Sequence, residues 1–157
     1  MYTLRSLAYE FDKKYKGNRS LKSYINILDN YKGFDWCWKT SHNFEGEYYK
    51  RLIFKNDFFD IYVITWKPRA HIDYHDHSEN GCIFKILHGS LEETKKKYEK
   101  ITEPIECKEK TTYYIDNDIG LHSIKNNSDM FTYSIHVYSP PNYKCEFFNS
   151  TSRFVSN

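Results

Sequence analysis

The stretch "HIDYHDHSENGCIFKILHGSLEET", residues 71–94, holds the densest chemistry in the chain. It places His71, His75 and His77 within seven residues, and Cys82 follows. His75 and His77 are one residue apart. On a strand, side chains at i and i+2 share a face, so both imidazoles can reach one metal ion while Asp76 points the other way. Two more histidines stand in later strand-like segments, His122 in "GLHSIKN" and His136 in "SIHVYSPP". Three neutral imidazoles without a carboxylate leave coordination positions open, as a catalytic metal requires and a closed structural site does not. On chemistry alone the ion can be Zn(II), Fe(II) or copper, and Cys82 can be counted as a further ligand.

These residues need elements to position them. Leu4, Leu7, Ala8, Phe11 and Tyr15 fall at helical spacing over 2–15, and Gly17-Asn18 breaks that helix. Ser20 can cap a second helix with a stripe of Leu21, Tyr24, Ile25, Leu28 and Tyr31, which Gly33 ends. Residues 34–46 carry no clear period, although Trp36 and Trp38 are expected to pack. From there the period is two. Segments 47–55, 58–66, 71–77, 82–88, 90–99, 110–115, 121–125 and 131–139 read as strands, separated by Asn-Asp, Pro, Gly-Ser and Asn-Asn turns. Two short helices followed by about eight strands imply a sandwich or barrel.

The chain of 157 residues suits one domain. The expected division is a helical segment over 1–46, a β-barrel over 47–145 and a polar tail over 146–157, frayed or docked on the surface. Twenty-three Lys and Arg nearly balance twenty-one Asp and Glu, so charge gives no support to a nucleic-acid partner. The basic run 95–97, flanked by Glu92, Glu93 and Glu99, reads as a solvated strand face. The N-terminus is charged and amphipathic, without the apolar segment of a secretory leader, and no run approaches the roughly 20 apolar residues of a membrane span. A cytoplasmic protein without a membrane partner is therefore expected. Its four cysteines, none in a CxxC pair, should be free thiols. A monomer is expected, since no long apolar edge is evident.

The spacing from His75-x-His77 through Cys82 to Gly89 resembles the first cupin motif, with cysteine where many cupins carry a glutamate ligand. "GLHSIKN" resembles the second, contributing His122 and Asn126. More narrowly, "HDHSENGCIFKILHGSLEET" together with "GLHSIKN" and "SIHVYSPPNYKC" is similar to the cysteine dioxygenases, the animal-type thiol dioxygenases, over residues 36–145. The resemblance implies a mainly β fold, a small jelly-roll-type cupin barrel behind two to three short N-terminal helices. It implies one Fe(II) on His75, His77 and His122, and an enzyme that adds both atoms of O2 to the sulfur of L-cysteine. It makes Cys82 the thioether partner of Tyr138, and Ser134 and His136 the row that orients Tyr138. Cys145 would lie near the site mouth and Trp66 would be structural. His71 is expected on the surface, and His42 and His88 receive no role.

One segment departs from the family. Cysteine dioxygenases anchor the substrate carboxylate with an arginine two residues after a tyrosine, whereas "EYYKRLIF" puts Tyr48 and Lys50 at those positions. Tyr48 and Lys50 then face inward and Arg51 outward; a one-residue slip reverses this. Lysine offers a point charge where arginine offers a two-pronged grip. Another small thiol, 3-mercaptopropionate or cysteamine, is therefore an alternative substrate. A non-catalytic cupin binding a metal or small ligand is a third reading.

Overall fold

The computed structural model describes residues 1–148 and the backbone of Phe154–Ser156. Helix α1, Leu4–Lys14, starts at Thr3, whose hydroxyl accepts from the Ser6 amide at 3.0 Å. It buries the predicted stripe Leu4, Leu7, Ala8 and Phe11. The second helical stretch is shorter than its stripe suggests. Ser20 caps it, but Leu21–Tyr24 winds as a 3-10 turn and only Ile25–Asp29, α2, is α-helical. Another 3-10 turn, Asp35–Lys39, buries Trp36 and leaves Trp38 86% exposed, contrary to the expectation that both pack.

Twelve strands follow: β1 Tyr48–Lys55, β2 Asp60–Trp66, β3 His71–His75, β4 Cys82–His88, β5 Leu91–Lys97, β6 Lys100–Ile101, β7 Ile105–Cys107, β8 Thr112–Ile115, β9 Leu121–Lys125, β10 Thr132–Tyr138, β11 Glu146–Phe148 and β12 Phe154–Ser156. They form two antiparallel sheets, ordered β1-β2-β10-β4-β8 and β12-β11-β3-β9-β5-β6, with β7 paired to β5. The result is mainly β with helices at the N-terminus. Among the described residues the two ladders stay separate and do not close into one ring of hydrogen bonds. Where a frayed or docked tail was expected, Glu146–Phe148 pairs with β3. The remainder of that tail, apart from the β12 backbone, lies outside the described residues.

The first sheet is buried on both faces, and its alternation assigns each side chain to one of two cores. Ile61 and Val63 of β2, Ile83 of β4, and Ile135 and Val137 of β10 pack with Leu7, Phe11, Tyr15 and Leu28 of the helical segment. Their neighbours Ile64 and Trp66, then Cys82, Phe84 and Ile86, pack with Ile72, Leu91 and Ile124 of the second sheet. The site grows from this inner face. Lys85, on the helix side of β4, is 3% exposed; its ammonium donates to the Asp29 and Tyr31 carbonyls at 3.0 and 2.9 Å, closing the end of α2 and fastening the helices to the sheet. Gly89 turns the chain from β4 to β5 with φ +88, and a Cβ there would lie 2.5 Å from the Thr132 hydroxyl.

Candidate metal centre

The strands bring together the three expected histidines. His75 ends β3 directly opposite His122 of β9, across an irregularity in the ladder between Ile72 and His75. The strand stops there, so a continuing strand is not what aims His77. Asn117 fixes it instead: its carboxamide accepts from the His77 amide and donates to the His77 carbonyl, each at 2.8 Å. One nitrogen from each of His75, His77 and His122 lies within 4.8 Å of the others. Asp76, expected to point away, lines the same cavity.

The hydrogen bonds behind the imidazoles show that the cluster suits a cation. His75 Nδ1 donates to the Asp73 carbonyl at 2.8 Å, and His122 Nδ1 donates to the Glu93 carboxylate at 2.7 Å. Both Nδ1 atoms carry the proton, so both Nε2 lone pairs are free, and these atoms face each other at 3.0 Å. Two lone pairs at that distance repel unless a positive centre accepts both. Both nitrogens of His77 are buried without a hydrogen-bond partner among the described residues. The three residues can therefore hold a metal ion and leave positions open on it. Cys82 is not among them.

Beside the triad runs a row on β10. Trp66 Nε1 donates to Ser134 Oγ at 2.8 Å, and Ser134 Oγ lies 2.8 Å from His136 Nε2. Indole only donates, so the serine oxygen accepts from Trp66; with a second lone pair and one proton of its own, it donates to or accepts from His136 Nε2 according to the histidine's tautomer. His136 Nδ1 lies 3.1 Å from the Tyr138 oxygen, so the row ends on that hydroxyl. Ser134 sits behind the cavity wall, while His136, Tyr138 and Cys82 line it. Cys82 is directly opposite Tyr138 in the β4–β10 ladder, and burial pushes its thiol well up.

The β1 register settles which cation faces the cavity. Tyr48 and Lys50 line it, and the Lys50 ammonium lies 4.2 and 4.3 Å from the ring centres of Tyr62 and Tyr138. Arg51 does not line it and, among the described residues, reaches only the Tyr49 hydroxyl, at 3.4 Å; the side chains of Lys50 and Arg51 both meet solvent. The cavity is small, about 60 Å³, and opens past Tyr48, Lys50, Ile72 and Phe147 into a wider cleft. Its mouth is covered by residues 143–148. Asp76 holds this cover: its carboxylate accepts from the Glu146 amide at 2.7 Å, and its own amide donates to the Glu146 carbonyl at 3.2 Å. Cys145 and Phe147 complete the rim. His71 is exposed, as expected.

Local reading of the sequence missed Glu93. It was expected on a solvated face, yet it is 1% exposed and bonded to His122. A carboxylate in the strand beside a candidate ligand was the only available signal.

Burial lowers the proton affinity of His75, His77, His122 and His136; neighbouring imidazoles and cations lower it further at His77, His122 and His136, while the Asp73 carbonyl and Asp76 partly offset burial at His75. All four are therefore neutral near neutrality, as the three candidate ligands must be. In metal-free protein the unfolded chain takes up protons near the ordinary histidine value of 6.5 while the folded chain resists them. Stability is thus full above that value and falls as pH drops below it, by about 1.4 kcal/mol per pH unit for each such proton. The melting temperature of metal-free protein should fall between about pH 7 and pH 5.5. A flat profile over that window would contradict neutral, buried imidazoles.

The family described as "Cysteine dioxygenase type I" matches residues 17–151. "Cysteine dioxygenase type 1" of Rattus norvegicus is 30% identical over 133 residues, covering 78% of this chain and 66% of that protein. The chain thus spans just under two thirds of that relative's length. Among solved structures, a conserved protein with a double-stranded β-helix domain from Klebsiella pneumoniae superposes with a TM-score of 0.58 at 14% identity, covering 78% of this chain and 94% of that one. A cupin superfamily protein from Desulfitobacterium hafniense gives 0.52 at 10% identity, covering 63% and 83%. These likenesses identify the fold as cupin. With three convergent imidazoles on that fold and a family match over most of its length, the chain belongs to the cysteine dioxygenase type I family.

Proposed function

We propose that the protein is an Fe(II)-dependent thiol dioxygenase that converts L-cysteine to cysteine sulfinic acid. The observation that carries this reading is the open triad, His75, His77 and His122, with two Nε2 lone pairs facing each other at 3.0 Å beside the Cys82–Tyr138 pair. Fe(II) on these imidazoles would supply a Lewis-acidic, redox-active centre for a thiol and O2. Both oxygen atoms end on sulfur, which gives up four electrons, so no further reductant enters.

The chain's own residues supply position and exclusion. Lys50 at the neck of the cavity attracts the substrate carboxylate, which sets the sulfur toward the triad. The Trp66–Ser134–His136 row holds the Tyr138 hydroxyl at the cavity wall, where it faces the bound molecule. Phe147 and Cys145 narrow the mouth and limit water. A cavity of about 60 Å³ restricts the substrate to a small thiol. Lysine at the anchor position favours a second reading, in which 3-mercaptopropionate or cysteamine is the preferred substrate. A binding cupin without catalysis would have no evident need for the Ser134–His136–Tyr138 row beside Cys82.

The test is O2 uptake by anaerobically Fe(II)-loaded protein given each of the three thiols, with products weighed. Two oxygen atoms added to L-cysteine, fastest of the three, is the expected result. Uptake confined to another thiol would move the substrate, and no uptake despite bound iron would leave a binding protein.

We further propose that Cys82, opposite Tyr138 in the ladder, bonds its sulfur to the Tyr138 ring, with two electrons and two protons passing to O2. Iron-loaded protein after turnover should run as a doublet on a denaturing gel, and Cys82→Ser should run as one band. A doublet that persists in Cys82→Ser would rule out this thioether.

A further inference from the structure

We infer that Glu93 is a positioning residue for the metal: its carboxylate fixes the donor tautomer of His122 and gives the all-imidazole set its missing negative charge. This rests on the reading that the triad holds iron, but not on which thiol, if any, is oxidised.

Three observations carry it. First, placement: Lys95 of β5 stands opposite His122 of β9, so Glu93, two residues along, is the diagonal neighbour on the same face. Its Oε2 accepts from His122 Nδ1 at 2.7 Å, and its Oε1 lies 3.5 Å from the Lys95 ammonium. Second, burial: Glu93 is 1% exposed, beside a core cluster containing Leu91, Cys107 and Ile124. A carboxylate is costly there unless it is paired and hydrogen-bonded. A strand packed this way would be served better by an apolar residue, so the acid is not explained by the fold. Third, asymmetry: the back nitrogen of His75 meets a neutral carbonyl, and His77 meets no partner among the described residues. Of the three, only His122 is bonded to an ionisable acid among the described residues.

The chemistry follows from that asymmetry. An imidazole whose Nδ1–H is held by a carboxylate presents Nε2 alone to the metal and is a stronger base there. Many non-haem iron sites use two histidines and a directly bound carboxylate. Here the acid would act one bond further out, through His122, without occupying a coordination position. Its charge stabilises a ferric ion more than a ferrous one. Lys95, its ammonium 3.5 Å from Glu93 Oε1, moderates that charge.

The test measures Fe(II) affinity under anaerobic conditions, and the Fe(III)/Fe(II) midpoint potential, for wild type, Glu93→Gln and Glu93→Ala. Glutamine keeps the shape and a neutral acceptor, so its potential should rise while affinity falls modestly. Alanine removes the acceptor too, and its Kd should rise about 10- to 100-fold. Thermal stability separates a structural role, which would lower the melting temperature and leave Kd and potential at wild type. If Glu93→Gln changes neither quantity the inference is overturned, whether or not the alanine variant folds. Wild-type protein that takes up no Fe(II) would overturn the metal reading beneath it, before any variant is compared.

Discussion

His122→Ala should lose bound iron and thiol oxidation together. His122 supplies one of the two Nε2 atoms that face each other at 3.0 Å, and without it His75 and His77 are left as a two-point site on the cavity wall. Changing a residue that merely supports a ligand costs about 10- to 100-fold in metal affinity or activity, so removing the ligand itself should exceed that range. The variant carries a second cost that must be separated from the first. It strands the Glu93 carboxylate, 1% exposed, with the Lys95 ammonium 3.5 Å away, and an unpaired buried acceptor costs about 1–3 kcal/mol or more when charged. The double variant His122→Ala/Glu93→Gln should recover much of that stability and none of the iron. Iron content after anaerobic loading, thermal melting and O2 uptake, read side by side, check all three parts. Activity persisting in iron-free His122→Ala would refute the ligand assignment. Iron retained at wild-type affinity would show that the third ligand lies elsewhere.

The contrast between His122 and Glu93 shows what local pattern can and cannot deliver. Period-two alternation located the eight main strands and assigned their faces, because a strand buried on both sides still sends alternate residues to different cores: Ile83 to the helices and Phe84 to the inter-sheet face. Alternation left open whether Lys50 or Arg51 faces inward, since a one-residue slip exchanges them; in the structure Lys50 lines the cavity and Arg51 does not. Alternation fails where the ladder breaks. His77 lies beyond the end of β3 and is aimed by Asn117, forty residues away in sequence. Asp76 therefore stays at the cavity rim, not on the opposite face, and clamps β11. Glu93 sits in "LEETKKK", where surrounding charge suggests solvent, and its burial depends on a partner 29 residues later. Trp38 errs the other way: a large aromatic reads as core, but its 3-10 turn can bury only one edge, and Trp36 takes it. β6, β7 and β11 are two or three residues long, too short for any period to show.

Lys50→Ala should raise KM for L-cysteine sharply, while Arg51→Ala should leave it near wild type. The Lys50 ammonium stands at the neck of the cavity, 4.2 and 4.3 Å from the ring centres of Tyr62 and Tyr138, with solvent still reaching it. The aromatic faces hold the cation in place but, among the described residues, no oxygen accepts from its N–H donors, so a carboxylate arriving at the neck supplies what the tyrosines cannot. A hydrogen bond to a charged group is worth about 1.5–3 kcal/mol, which corresponds to a KM increase of about 10- to 150-fold. Cysteamine, which has the thiol and amine but no carboxylate, is the internal control, and its KM should hardly respond to Lys50→Ala. Lys50→Arg should go the other way for L-cysteine, since a planar fork can grip both carboxylate oxygens. Equal losses for cysteine and cysteamine would mean that Lys50 acts by packing Tyr62 and Tyr138 and not by binding substrate. An unchanged KM for cysteine would place the anchor outside β1. Either result would shift the question of substrate to the acids of the outer cleft, Glu45, Glu47 and Asp73, whose charge favours a thiol that presents an amine to the opening.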